Sequence, residues 1–286
     1  MAITVNTNMA ALNIQSNLNN ATNDMNKAML RMSTGSKINS AADDAAGLAV
    51  STQFETTISS NKVAQDNAQI GSNLLTTAEG TLDVIKGNLQ RIRDLAEQAA
   101  NGTYSTDART AMQAEVEQRV SEINRVANGT DFNGINLFND GATELGTTGL
   151  ALQIGTANDT NSTITVTADV FKSAEASALM ETSGDIKDNL ATSAAAKSFL
   201  DDVDKGIKAV TDRQTKIGAY QNRLSSASEN LTVQSQNLTA SNSTIKDADV
   251  AVESAKYVQS QILQKASASL LASANQSPSI ALSLIG

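Results

Sequence analysis

The sequence contains no cysteine, no histidine and no tryptophan. Without cysteine there is no disulfide, no thiol nucleophile and no thiolate site for zinc or iron–sulfur clusters. Without histidine there is no histidine-based triad, no HExxH metalloprotease and no imidazole metal site. Proline occurs once, at Pro278, so almost nothing interrupts a helix. Aromatic residues make up 3% of the 286, whereas a globular enzyme of this length ordinarily spends more aromatic area on its core. No apolar run approaches the ~18 residues of a membrane span. Glycine signatures of the GxxxxGK[ST] and GxGxxG kinds, which cradle phosphates, do not occur. The residues therefore nominate no catalytic, cofactor-binding or metal-binding position.

Charge narrows the partners. Lysine and arginine total 21 against 30 acidic residues, a net charge of −9. Nucleic-acid binders need clustered positive charge to displace counterions, and anionic lipid surfaces need it too, so neither is expected. Met1 to Leu18 carries no lysine or arginine and no apolar core, so it is not expected to act as a cleavable secretory signal. The length gives a prior of about two domains at ~150 residues each. The hydrophobic fraction is 40%, carried largely by alanine, leucine, isoleucine and valine. The buried surface is therefore expected to be thin and spread along helices.

Three zones follow from periodicity. Residues 1 to about 128 and about 186–286 are helical by pattern, and about 129–185 are rich in glycine, threonine, asparagine and aspartate. Val203, Val210, Ile217, Leu224, Leu231, Leu238, Ile245 and Val252 recur every seven residues. Such a seam drifts only ~20° per heptad on a straight helix, which predicts a gently supercoiled helix. The alternate seam position is polar (Gln214, Gln221, Ser228, Ser235), so this helix is expected to pack through a narrow stripe against several neighbours. Ala78, Leu82, Ile85, Leu89, Ile92, Ala96 and Ala99 alternate by fours and threes. So do Ala11, Ile14, Leu18, Ala21, Met25, Ala28 and Met32, and a shorter set is Met112, Val116, Val120 and Ile123. Each predicts an amphipathic helix. In the middle zone, 150–155 and 162–167 read as two short strands joined by a turn over 156–161. Further turns are predicted at Asn128-Gly129, Asn133-Gly134 and Asp140-Gly141. A lone hairpin is marginal in water, so it should lie against the helices.

Few segments invite chemistry. Asp43 and Asp44 precede an apolar helical run; the plain reading is an N-cap with favourable dipole charge, and the alternatives are a carboxylate pair or a contact between subunits. Arg91, Asp94, Leu95 and Gln98 share about one helix face, which the plain reading leaves solvated and laced with charge pairs. Residues 141–185 contain no histidine, cysteine or arginine and one lysine, Lys172, which leaves the insert no catalytic apparatus. The alanine-rich termini, 1–44 and 245–286, have real periodicity but small seam residues. Either they pair inside the monomer, or they order only against copies in neighbouring subunits; a surface repeated head to tail without closing gives a helical filament.

Several segments together resemble bacterial flagellin. In the first half they are Ile38-Asn-Ser-Ala-Ala-Asp-Asp-Ala-Ala-Gly-Leu-Ala-Val50, Thr77-Ala-Glu-Gly80, the Leu89–Gln98 stretch and Thr130-Asp-Phe-Asn-Gly-Ile-Asn-Leu137. In the second they are Gly218-Ala-Tyr-Gln-Asn-Arg-Leu224, Glu229-Asn-Leu231, Asn237-Leu238, Asp247-Ala-Asp249, Ile262-Leu263 and Leu271-Ala-Ser-Ala-Asn-Gln276. The chain departs from the family pattern at Ser36-Lys37, at Thr244 and in its last residues, Leu284-Ile-Gly286.

The resemblance implies a mainly α fold: a long antiparallel helical coiled-coil bundle with a small β-hairpin region inserted mid-chain. It divides the chain into an N-terminal inner-core helix (1–44), outer-core helices (45–140), the hairpin insert (141–185), a long outer-core helix (186–244) and a C-terminal inner-core helix (245–286). It implies an extracellular filament subunit without enzymatic activity or cofactor. Subunit packing then falls on Leu18, Met25, Met32, Asp43, Asp44, Leu224, Leu231, Leu238, Ile245, Ile262 and Leu270. Recognition by a host Toll-like receptor falls on Gln90, Arg91, Leu95 and Glu115. The other implied partners are further copies of the chain, an export chaperone, the flagellar type III export apparatus, and hook-associated cap and junction proteins.

Overall fold

Helices carry most of the chain in the computed structural model, which describes residues 7–138, 145–180 and 189–285. In chain order these residues form α1 (Met9–Thr34), α2 (Ala45–Ala100), α3 (Thr106–Gly129), β1 (Asp131–Phe132), β2 (Ile135–Asn136), α4 (Leu145–Thr148), β3 (Leu150–Gln153), β4 (Thr163–Val166), α5 (Ala176–Leu179), α6 (Ser193–Lys246) and α7 (Val250–Ile285). α2 has 56 residues and α6 has 54, so each is roughly 80 Å long at 1.5 Å per residue. Two compact units divide the fold: residues 59–235, and residues 1–58 with 236–286. No described helix is long and apolar enough to cross a membrane.

In the unit of residues 59–235, α3 and α6 each run antiparallel to α2. Asn61 donates to Gln234, Gln65 to Thr232, Gln221 to Thr76 and Gln214 to Asp83, so each step along α2 is matched by a step back along α6. Two of the polar seam positions of α6 are thus spent on α2: Gln214 joins Asp83 and Lys86 at 3.0 Å each, and Gln221 reaches Thr76 and Glu79 at 3.3 and 3.1 Å. Between these polar rungs lies a dry core. Every member of the Ala78–Ala99 set is fully buried, together with Val203, Val210, Ile217 and Leu224.

The mid-chain segment supplies a large part of that core. β3 and β4 pair antiparallel, Leu150 opposite Val166 and Gln153 opposite Thr163. Ile164 and Val166 point inward, and Leu137, Phe138, Val170, Phe171, Leu179 and Met180 fill the same cluster. Arg213 on α6 ties the segment down by donating to the carbonyls of Lys172 and Ser173 at 2.8 and 3.1 Å.

Two expectations change. The heptad seam does not continue through one helix: α6 ends at Lys246 and Val252 stands in α7, because the Asp247–Asp249 link makes backbone bonds to another segment. Asn128-Gly129 is no free turn but the last residues of α3; Asn128 continues the helix because its side chain is anchored on Glu175 at 2.7 Å. The turn predicted at Asn133-Gly134 is present, and it closes a second hairpin in which Phe132 faces Ile135. Both residues have positive φ, 54° and 78°, as the two central positions of a type I′ turn demand. The turn predicted at Asp140-Gly141 lies outside the described residues.

Candidate assembly and recognition surfaces

The unit built from residues 1–58 and 236–286 centres on α1 and α7. They too run antiparallel: Asn8 donates to the Ala274 carbonyl at 2.9 Å, Gln264 to Thr22 at 3.1 Å and Ser254 to the Met32 sulfur at 3.4 Å. Among the described residues only Ala21, Ala28 and Ile38 are buried apolar side chains in this unit. Ala21 and Ala28 sit seven apart on α1, so the alanine-rich seam buries little more than two methyl groups there.

A polar clasp closes the pair at one end. Ser36 and Asp247 form an isolated antiparallel bridge. The Lys37 N–H donates to the Lys246 carbonyl at 2.7 Å and the Ala248 N–H to that of Gly35 at 2.9 Å. The Ser36 hydroxyl adds bonds to the carbonyls of Ile38 and Lys246. Lys246 itself pairs with Glu55, and that ammonium is the main reason the Glu55 carboxyl sits below its ordinary pKa. Glu253 lies beneath, its side chain 6% exposed, 3.7 Å from Arg31 and 2.7 Å from Lys256. Arg31 also reaches Asp43 at 3.8 Å. Neither Arg31 nor Glu253 was nominated from sequence. The available signal was weak: a lone arginine in the last turn of one helix and a glutamate in the first turn of another.

Asp43 and Asp44 divide their tasks. Asp44 caps α2, accepting the Gly47 N–H at 2.9 Å. Asp43 accepts from the Ser40 hydroxyl and from the backbone N–H groups of Asn39 and Ser40, and these bonds, the hydroxyl's first, hold its carboxyl below the usual range. Gly47 stands where a Cβ would lie 2.5 Å from the Asp44 carboxylate and 2.7 Å from Ile38. That close approach accounts for a glycine three residues after the capping aspartate.

The sequence-nominated packing residues separate into two groups. Leu224 and Leu231 are buried in the chain's own core, so the heptad stripe is used internally at these positions. Leu18, Met25, Met32, Leu238 and Ile245 are half-buried, and Asp43 and Asp44 are exposed. Ile262 is 61% exposed and Leu270 57%, alongside bare Val258, Leu263, Met29, Leu30 and Leu12. Exposed apolar residues in such number on one helix pair mark a surface that something else covers.

The second candidate surface is on α2 and α3. Arg91 donates twice to Glu115, at 2.8 and 3.1 Å. The pairing lowers the Glu115 carboxyl pKa and raises that of the Arg91 guanidinium. Arg119 stands 3.6 Å from Glu115 and bonds Asn88 at 3.2 Å. Gln90 is exposed beside them. Leu95 does not share this surface: it is 3% exposed and belongs to the core, because α2 turns that side toward its own bundle. Among the described residues no group of three or more aspartates and glutamates has the geometry to hold a metal ion.

A mainly helical chain with one largely self-buried unit and one whose large apolar side chains stand bare has the form expected of a self-assembling structural protein. Comparison with known proteins makes the class specific. A family profile described as "Bacterial flagellin N-terminal helical region" matches residues 5–143, and "Bacterial flagellin C-terminal helical region" matches 200–285. The chain is 37% identical to a flagellin of Halalkalibacterium halodurans over 98% of its own length and 99% of the relative's. It is 33% identical to polar flagellin F of Vibrio parahaemolyticus over the whole of both chains. It is 35% identical to a flagellar filament core protein of Brachyspira hyodysenteriae, over 98% of this chain and 99% of that one. Its fold also matches a solved Vibrio parahaemolyticus structure described as a flagellar hook-associated protein, with TM-score 0.59 at 18% identity, over 72% of this chain and 100% of the other. The chain belongs to the bacterial flagellin family and is a structural subunit of the extracellular flagellar filament.

Proposed function

We propose that the chain polymerises through α1 and α7, whose bare apolar side chains are covered by the same helices of neighbouring copies. The exposure of Ile262 and Leu270 among like residues is the main support. In this assembly residues 1–44 and 245–286 form the inner core, 45–140 and 186–244 the outer core, and 141–185 the insert packed on the outer core. Leu18, Met25, Met32, Leu238 and Ile245 extend the packing surface, and Asp43 and Asp44 hold the loop that leads into α2. Small seam residues allow alternative registers between copies, so the filament switches between packing states. Before assembly an export chaperone masks the apolar face of α7 and the chain leaves through the type III apparatus; hook-associated junction and cap proteins bound the polymer at its ends. No catalysis enters. Gln90, Arg91 and Glu115 present a polar, charged patch for a host Toll-like receptor, with Leu95 supporting it from beneath.

Negative-stain electron microscopy tests the assembly. The purified chain, given short filament seeds and ammonium sulfate to strengthen apolar burial, is expected to give long uniform filaments. Ile262→Ser with Leu270→Ser is expected to give none while leaving the circular dichroism of the unassembled chain unchanged. Persistent monomers or short caps from the intact chain overturn polymerisation and point instead to a junction protein.

A further inference from the structure

Three Asn-Gly pairs occur in the described residues, at Asn101-Gly102, Asn128-Gly129 and Asn133-Gly134. This dipeptide is the one most open to self-modification, because the backbone nitrogen after the asparagine, unhindered by a Cβ, can attack the side-chain amide. The structure separates the three. Asn128 is within α3, where the N–H that would attack is committed to the helix ladder. Its amide also donates to Glu175 at 2.7 Å, and its carbonyl accepts from Asn136 at 2.6 Å. Asn101 turns its amide oxygen onto the Thr103 N–H at 3.1 Å, while its backbone carbonyl accepts from Tyr104 and Arg109. Asn133 is exposed, and among the described residues its side-chain amide makes no such bond. It holds the left-handed φ of 54°, uncommon for a residue with a side chain. A Cβ at Gly134 would meet nothing within 4 Å. The flanking strands have two residues each, so the turn opens at little cost. Among the described residues the side-chain bond to be given up is from the Gly134 N–H to the Asp131 carboxylate, at 3.3 Å.

We infer that the Asn133-Gly134 turn is a site of spontaneous deamidation, a modification the subunit carries out on itself. The Gly134 nitrogen attacks Cγ of Asn133; the N–Cγ bond forms, the Cγ–Nδ2 bond breaks, and ammonia leaves with the proton lost from Gly134. Water then opens the succinimide at either carbonyl, giving aspartate or isoaspartate. Each product adds a negative charge two residues from Asp131, on a turn where like charges oppose pairing. Isoaspartate also lengthens the backbone by one carbon, which the two-residue I′ loop does not accommodate. A filament subunit remains outside the cell once assembled, so older subunits accumulate the change while new ones lack it.

The test is peptide mapping by mass spectrometry of the intact folded chain, incubated at neutral and at mildly alkaline pH, with isoaspartate scored separately. Conversion at Asn133 is expected to outrun Asn101 and Asn128 by about tenfold, the factor that about 1.4 kcal/mol of prior bond-breaking imposes. It is expected to quicken with alkali, since the deprotonated amide is the nucleophile. Asn133→Gln, which keeps the amide but disfavours ring closure, is expected to abolish conversion there and leave the other two rates unchanged. The same chain in denaturant is expected to lose the ranking. Faster conversion at Asn101 or Asn128 in the folded chain, or an unmodified Asn133 after the other two have reacted, overturns the proposal.

Discussion

Residues 59–235 and the pair formed by 1–58 with 236–286 are made from the same kind of amphipathic helix, yet the first buries a large apolar core and the second almost none. In the first, α2, α3, α6 and the mid-chain segment surround one another, and the Ala78–Ala99 stripe is wholly buried. In the second, α1 and α7 pack mainly on each other among the described residues, and leucines, valines and isoleucines stay in water. An amphipathic helix with one neighbour covers a narrow strip; covering a broad apolar face takes two or more. The difference teaches that periodicity marks a face to be buried without saying whose surface buries it. In the first unit the chain closes its own account; in the second the closure is left to other copies.

The largest effect that tests this contrast is a core truncation. Leu89→Ala in the buried stripe is expected to cost about 2–5 kcal/mol, from lost transfer energy and the cavity left behind. The same change at exposed Leu12 on α1 is expected to stay within about 0.5 kcal/mol in the dilute chain. Urea unfolding followed by circular dichroism checks both. A loss at Leu12 as large as that at Leu89 breaks the comparison, because it means that α1 is already covered in the unassembled chain.

Next comes the buried charge. With so little apolar area between α1 and α7, the pair of Glu253 with Arg31 is expected to hold the two helices in register, while Lys256 balances Glu253 from its own helix. Glu253→Ala leaves both cations without their carboxylate. A fully buried pair broken in this way costs about 3–5 kcal/mol; here water still reaches Arg31 and Lys256, so about 1–2 kcal/mol is expected. Hydrogen exchange is the measurement: faster exchange confined to α1 and α7, with α2 and α3 unchanged, is the expected result. Unchanged exchange in α1 and α7 removes the clasp from the account.

Much of this organisation was legible in the sequence. The threes-and-fours pattern over Ala78–Ala99 located a core stripe residue for residue, since a helix that long allows only one face to repeat. The β3–β4 hairpin was readable from its strand formers and the turn residues between them. What escaped was non-local. Val252 continues the heptad count arithmetically, but the chain breaks at 247–249 to bond with residues 35–37, and no periodicity records a partner 210 residues away. Leu95 shares a helical wheel sector with Arg91, yet α2 is enclosed on enough sides to bury it. Glu253 and Arg31 look like ordinary surface charges until α1 meets α7.

The smallest effect concerns an exposed pair, and it sharpens the contrast between charge held in water and charge held beneath a helix pair. Arg91 and Glu115 are 43% and 36% exposed, so their bond is screened and weak beside the Glu253 clasp. Hydrogen bonding from Arg91, then burial-opposed Coulombic attraction, sets the Glu115 carboxyl below its ordinary value of 4.5. A carboxyl whose pKa is lower folded than unfolded stabilises the fold above the unfolded value, and that stabilisation is lost as pH falls through the folded value. Glu115→Gln is therefore expected to be slightly less stable than the parent at neutral pH. The gap should begin to close as the pH drops past the ordinary glutamate value and vanish in stronger acid. Added salt should narrow it at neutral pH. Thermal melts of both chains across pH, at two ionic strengths, give the answer. A gap that persists in acid assigns the loss to side-chain packing rather than charge, and Arg91 and Glu115 then form part of the α2–α3 packing rather than a patch of surface charge free to engage another protein.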